Sequence, residues 1–231
     1  MDVREALYTT RMMRRMHRDP IPLEAQARIM DAAIRAPNGG NTQRGHFLAV
    51  DDADTKTELA AVYRRCRARE YADIAAGELA EPLHDPQAHC ETMRQIRASG
   101  DEFTEHFADT PLLIFVFAID DHGGANIYPA IWSTLLAARA EGIGGVITTV
   151  LRYEADRVME LLEVPIEEGW RMTAMLALGC PRGWWGVAAN RRPVHAVSSR
   201  NRWGRDFGVT VPSPLWPGDD GEAQHDQRLG T

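Results

Sequence analysis

Apolar positions fall into two patterns along this chain. One is uninterrupted: residues 111–119 read Pro-Leu-Leu-Ile-Phe-Val-Phe-Ala-Ile, which predicts a strand buried on both faces of a sheet. Met172 to Leu178 predicts a second central strand, and residues 46–50 a shorter one stopped by Asp51-Asp52. The other pattern is helical. Leu23, Ala27, Met30 and Ile34 recur at spacings of four, three and four after Pro22, and Pro37 with Gly39-Gly40 ends that helix. Residues 127–141 form a helix apolar nearly all round, as at a core or a subunit interface. Shorter helices are expected over 2–8 and 154–163, a Gly-rich turn and β-branched stretch over 143–150, and a short strand at His195–Val197.

Between 55 and 108 the composition is helical and rich in Arg and Glu, with breaks expected near Gly77, Pro82, Pro86 and Gly100. That reading gives two or three helices with a mobile middle. Residues 63–108, carrying Tyr63, Tyr71, Met93, Phe103 and Phe107, are the expected substrate lid, because long irregular stretches carry specificity. Pro, Gly and Asp dominate the end of the chain, so 217–231 is expected to be a disordered tail. Interleaved strands and helices imply an α+β or α/β sandwich in one domain, residues 1–211.

With 231 residues the chain is long enough for one well-cored domain. A net charge of −7 and a pI near 5.6 argue against a general nucleic-acid binder, which would show a basic face. Lys56 is the only lysine, so a function requiring that residue has one candidate. Cys66, Cys90 and Cys180 show no metal-ligand spacing, and His17, His46 and His195 are scattered, so no metal site is expected. The N-terminus lacks an apolar signal core and the run 112–119 is too short to span a bilayer, which makes a soluble cytoplasmic protein the expectation. No Gly-x-Gly-x-x-Gly follows a strand, and no Walker loop or Gly-x-Ser-x-Gly elbow is present, which excludes Rossmann, ATPase and hydrolase readings.

Four segments carry candidate chemistry. Arg11 and Arg14 share a face if their segment is helical. They are either a solvated basic pair or, given Met12, Met13 and Met16 around them, charges pressed against the core and in need of a partner. Arginine suits bidentate binding of phosphate, and a glycine loop lets backbone N–H groups approach a ligand. Pro37, Asn38, Gly39, Gly40, Asn41 and Gln43 form either an ordinary turn or a loop whose carboxamides match the imide edge of a flavin or base. Thr148-Thr149 reads as plain β-propensity, and Arg191-Arg192 before Pro193 as a solvated loop, unless a fold gathers them at one ligand.

Taken in order, these segments resemble the FMN-dependent nitroreductase family over roughly residues 5–200. The family's Arg-Arg-Ser-x-Arg-x-Phe followed by Pro-x-Pro is matched by residues 10–16 and Pro20-Ile21-Pro22. Its Ala-Pro-Ser-Gly-x-Asn-x-Gln-Pro-Trp is matched by residues 36–45. Its apolar helix ending in Gly-Leu-Gly is matched at 135–144, its Leu-Gly-Tyr-Pro at 178–181 and its basic-basic-Pro-Leu at 191–194. Residues 142–149 look especially like the branch containing iodotyrosine deiodinase and the flavin-cleaving enzyme of cobalamin lower-ligand synthesis. Departures are Thr10 for the first arginine, Met12 for the serine that assists the phosphate, and Arg44-Gly45 for Pro-Trp, a change that opens the edge of the pocket.

The resemblance implies an α+β three-layer sandwich with a central, mostly antiparallel sheet, in an intertwined homodimer with FMN at the subunit interface. It implies that residues 198–216 wrap the partner. By the same resemblance Arg11 and Arg191 hold the phosphate with Arg192 as helper, beside Met12. Arg14 faces N1 and O2 of the ring, Pro37, Asn38, Gly39 and Asn41 border the ring and ribityl chain, and Thr148 or Thr149 approaches N5. The implied activity is ping-pong oxidation of NAD(P)H with reduction of a nitroaromatic, quinone or enone, with no catalytic side chain required. The alternatives are a dehalogenase or flavin-cleaving enzyme of the same fold, and a non-catalytic FMN-sequestering protein. The absence of any lysine after Lys56 argues against a halotyrosine substrate.

Overall fold

The computed structural model describes residues 1–77, 86–185 and 191–210. Contacts divide the chain into two compact units, Arg11–Trp184 and a second that combines Met1–Thr10 with the chain from Trp185 on. The larger unit is built on four strands, β1 (Gly45–Val50), β2 (Leu112–Ala118), β3 (Gly144–Thr148) and β4 (Arg171–Gly179). They form one antiparallel sheet in the order β1-β2-β4-β3.

Alternation along β2 makes the layers. Leu113, Phe115 and Phe117 face a core formed with α3 (Ala53–Ala75), the end of α4 (Pro86–Glu105) and α6 (Ala155–Leu161). Leu112, Ile114, Val116 and Ala118 face a second core under α2 (Leu23–Ala33) and α5 (Tyr128–Ala140). All seven residues of β2 are buried, as a strand covered on both faces requires. The expected three-layer sandwich is therefore present.

Several expectations need correction. The buried face of α2 is Ala25, Gln26, Ile29 and Ala33, whereas Leu23 and Ile34 are 73% and 60% exposed. Of the expected stripe, Leu23, Ala27 and Ile34 point to solvent and only Met30 packs against the core. No break occurs at Gly100, which lies inside α4 and is buried. An interior glycine costs a helix only about 1 kcal/mol relative to alanine, and Gly100 sits where Tyr71 and Arg67 of α3 come close. Tyr63, Phe103 and Phe107, expected in a lid, are core: Tyr63 stacks on Phe107 with centroids 4.6 Å apart, and Phe103 meets both edge-on. Residues 78–85 of the expected lid, 186–190, and 211–231 with the expected tail lie outside the described residues.

In the smaller unit α1 (Val3–Thr9) matches the helix expected over 2–8. The strand expected at 195–197 is instead α7 (Val194–Val197), one helical turn opened by Pro193 and closed by the Ala196 N–H on the Pro193 carbonyl at 2.9 Å. Proline's fixed φ favours that start, and among the described residues no strand pairs with 194–197.

Gly145 is the tightest point of β3. An added Cβ would lie 2.4 Å from Leu178 Cδ2, 2.8 Å from Leu135 Cδ2 and 3.1 Å from the Ala177 carbonyl. Gly145→Ala is expected to cost about 1–3 kcal/mol through overpacking, read as a lower urea midpoint at unchanged m-value.

Candidate functional site

Residues 11–16 are extended, so Arg11 and Arg14 do not share a helical face as their spacing suggested. The reason is a set of pairings with the sheet edge. Met13 N–H donates to the Gly145 carbonyl (2.8 Å), His17 N–H to that of Cys180 (2.8 Å) and Arg182 N–H to that of Arg15 (3.0 Å), while Met16 bridges Pro181. The Ile147 N–H is aimed at the Met12 sulfur, 3.4 Å away. Glycine at 144 permits the approach, since a Cβ there would lie 3.0 Å from Pro181 Cβ and 3.2 Å from Met13 Sδ.

Arg11 and Arg14 nevertheless line one cavity of about 540 Å³, together with Met12, Arg15, Arg182 and, across from them on α4, Gln95 and Ser99. Its lining residues carry four guanidinium groups and no carboxylate. Arg11 Nη2 donates to the Trp184 carbonyl at 2.7 Å, and Arg15 is paired with Glu102 at 2.7 Å. Arg14 donates to Ser99 Oγ at 3.4 Å. Burial pushes its guanidinium below its ordinary pKa; Tyr63 opposes the shift and Arg67 adds to it.

Behind Arg14 lies a second basic group. Arg67 Nη2 donates to the Tyr63 phenol at 2.5 Å and pairs with Glu70. Burial raises the Tyr63 phenol, while Arg67 and the neighbouring Thr148 hydroxyl favour its ionised form. Thr148 Oγ1 also accepts the Val150 N–H at 3.3 Å, whereas Thr149 is exposed. Thr148 therefore belongs to the Arg14 end of the sheet.

Tyr71 ties α3 to α4. Its hydroxyl donates to Asp101 at 2.6 Å, and its ring lies between Arg97 (4.4 Å) and Arg67 (5.6 Å). Burial first, then the bond to Asp101, pushes its pKa from 10.0 up to about 12. A raised pKa means stability that is present below pH 10 and lost as pH climbs toward 12. Tyr71→Phe is accordingly expected to flatten that alkaline loss, as measured by urea unfolding at intervals between pH 9 and pH 12.

Asn38 and Gly39 line a different cavity of about 410 Å³, with Gln43, Arg44, Asp121 and Asn126 among its polar residues and Phe47 and Ile127 among its apolar ones. Asn38 Oδ1 accepts the Gln43 N–H at 3.0 Å, and Gly39 N–H donates to Asn126 Oδ1 at 2.7 Å. The Gly39 N–H, expected at a ligand, is thus already engaged. Pro37 and Asn41 are exposed, Asn41 with φ 50°. Neither of these two cavities is lined by residues of the other segment, so among the described residues they do not bring the arginine and Asn-Gly segments together. Arg191 and Arg192 lie in the smaller unit, where Arg192 Nη2 donates to the Ala196 carbonyl at 2.8 Å.

Sequence reasoning missed Arg67, Asp121 and Asn126. Asp121 and Asn126 sit in a Gly-rich loop before the apolar helix that reads as an ordinary turn, and no local signal marks Arg67.

Comparison with known proteins decides the family. Residues 7–180 match the Nitroreductase family profile. The chain belongs to the nitroreductase family. It is 30% identical over 183 residues to the 5,6-dimethylbenzimidazole synthase of Rhodospirillum rubrum, covering 77% of this chain and 82% of that protein. Its fold is shared with an iodotyrosine deiodinase solved with FMN and 3-iodo-L-tyrosine (TM-score 0.62, 23% identity, 79% of this chain and 91% of that one). It is also shared with the FMN-dependent nitroreductase NfnB of Mycobacterium smegmatis in complex with NADPH (TM-score 0.63, 19% identity, 86% and 97%). This is a divergent member whose relatives include the deiodinase side of the family. No helix among the described residues is long and apolar enough to cross a membrane.

Proposed function

We propose that this chain is an FMN-dependent oxidoreductase that takes reducing equivalents from NAD(P)H and passes them to a nitroaromatic, quinone or enone. The observation that carries the reading is the cavity at Arg11 and Arg14: four guanidinium groups, no lining carboxylate, and a half-buried Arg14 that donates to the neutral Ser99 hydroxyl. Half-buried positive charge such as that of Arg14 is stabilised by an anion, and about 540 Å³ lies within the ~300–1,000 Å³ usual for cofactor sites. The donor set therefore fits a phosphate-bearing flavin.

When bound, FMN supplies two-electron hydride chemistry. Arg11 holds the phosphate, with Met12 alongside. Arg14 stabilises negative charge on the ring. Thr148, rather than the exposed Thr149, is the better placed hydroxyl for the N5 edge, because it belongs to the Arg14 cluster. Asn38, backed by Pro37, Gly39 and Asn41, borders the ring from a second chain. The separate cavities support that assignment, with a homodimer as the working unit. Exposed Leu23 and Ile34 on α2 and half-exposed Trp132 and Leu136 on α5 supply apolar surface for it.

An absorbance spectrum of purified protein, followed by anaerobic titration with NADH and with NADPH, tests cofactor and donor together. Yellow protein bleached by either nucleotide, and reoxidised by a nitroaromatic, is the expected result. Bound flavin with no turnover would instead favour storage. A second reading, oxidative breakdown of the flavin, draws on the likeness to the synthase. It predicts oxygen uptake with permanent loss of flavin absorbance rather than reoxidation.

A further inference from the structure

We propose that Asn126 is a positioning residue that sets the direction in which the Asn38 carboxamide faces its ligand. Asn126 lies just before α5, 87 residues from the loop it contacts. Its own amide cannot turn freely. The Asn126 backbone N–H (3.0 Å) and Nδ2 (3.3 Å) both donate to Asp121 Oδ1, while Asp121 Oδ2 accepts the Ile127 N–H at 3.0 Å. An ionised carboxylate only accepts, so Nδ2 must face Asp121 and Oδ1 must face the loop. There Oδ1 takes the Gly39 N–H at 2.7 Å.

The loop needs that anchor. Gly40, Asn41 and Gln43 have φ of 60°, 50° and 52°, and two of these three are not glycine. Such backbone persists only where its surroundings over-determine it. Inside the loop Asn41 N–H donates to the Asn38 carbonyl (3.1 Å), Thr42 N–H to the Gly39 carbonyl (3.2 Å) and Gln43 N–H to Asn38 Oδ1 (3.0 Å). With Oδ1 taken, Asn38 presents the two N–H donors of Nδ2 to the cavity. It therefore selects a carbonyl-type acceptor on the ligand. Asp121, Asn126, Gly39 and Asn38 form one relay of orientation from the start of α5 to that donor pair, and a Cβ at Gly39 would press on it, 3.1 Å from Asn126 Oδ1.

This inference rests on the FMN reading for the identity of the ligand, and its test separates the two. Amide exchange is measured by NMR in the flavin-free protein for wild type and Asn126→Ala, with circular dichroism to confirm folding. FMN dissociation constants are measured for wild type, Asn38→Ala, Asn126→Ala and the double variant. Asn126 is exposed, so the fold is expected to survive its loss. The expected results are exchange about tenfold faster at Gly39 and Gln43 in Asn126→Ala, and an Asn38→Ala effect of about five- to tenfold on FMN affinity that shrinks below twofold once Asn126 is alanine. FMN binding with fully additive effects, or unchanged exchange at Gly39, overturns the positioning role and leaves the FMN reading standing. Wild-type protein that binds no FMN overturns both, because Asn38 then has no such ligand to face.

Discussion

Arg14→Met is expected to weaken FMN binding by about 10- to 100-fold and, in the same variant, to stabilise the flavin-free chain. The two effects have opposite signs because one feature causes both. In the flavin-free protein Arg14 is half-buried, bonded to Ser99 Oγ at 3.4 Å and near a second guanidinium, Arg67, while Glu70 is already paired with Arg67. Burial disfavours its charge, as the lowered pKa records. Methionine keeps much of the side-chain volume and removes the desolvated charge, a change that stabilises by about 1 kcal/mol or more where buried ions are replaced by apolar groups. With an anionic cofactor present the balance reverses, since hydrogen bonds to charged groups contribute about 1.5–3 kcal/mol. Fluorescence titration with FMN and urea unfolding without it read the two sides. A loss on both would make Arg14 a structural residue and remove the main support for the cavity as an anion site.

That sign reversal also shows what was legible in the sequence and what was not. The segments that reach the site could be named from residue type alone, because guanidinium and carboxamide chemistry does not depend on fold. Their conformation could not. A three-residue interval between Arg11 and Arg14 reads as one helical face, yet Met13 and His17 pair with Gly145 and Cys180 and hold the segment extended. Nothing local distinguishes those outcomes, since the partners lie well over a hundred residues away. The strands were legible because β2 and the stretch of β4 from Ala174 to Leu178 are buried on both faces and carry no polar residue. The face of α2 was misread for the converse reason. Ala25 and Ala33 carry too little apolar surface to outweigh Leu23 and Ile34 in a periodicity count, although they are the residues that meet the sheet layer.

The same difficulty explains the aromatic residues of the expected lid. Tyr63, Phe103 and Phe107 sit in a stretch dominated by Arg and Glu, which reads as solvated and mobile, while the tertiary fold turns one face of that stretch inward. Only Tyr71, beside Arg97 and Arg67, and half-exposed Met93 remain outside the core among the five aromatic and methionine positions assigned to substrate contact. Across the arginine cavity the α4 side is lined by Gln95, Ala98 and Ser99, with no aromatic residue among the lining.

Phe115→Ala is expected to be the most damaging single change in the core, lowering stability by about 3–5 kcal/mol. Phe115 is fully buried at the middle of β2, opposite Leu48 of β1 and Met175 of β4. Its ring joins the layer that Tyr63, Phe107 and Met159 complete from the helical side. Little can collapse into the space left, because a central strand is held by ladders on both edges. Against a total stability of about 5–15 kcal/mol, the loss leaves a marginal protein, with Tm lower by roughly 6–20 °C for a chain of this size. Phe115→Leu keeps most of the volume and should cost only about 1–2 kcal/mol. Calorimetry of both variants decides the matter. Near-equal Tm values for Phe115→Ala and wild type would mean that the α3 layer does not depend on β2, and the support beneath Tyr63, Arg67 and Arg14 would have to be sought elsewhere.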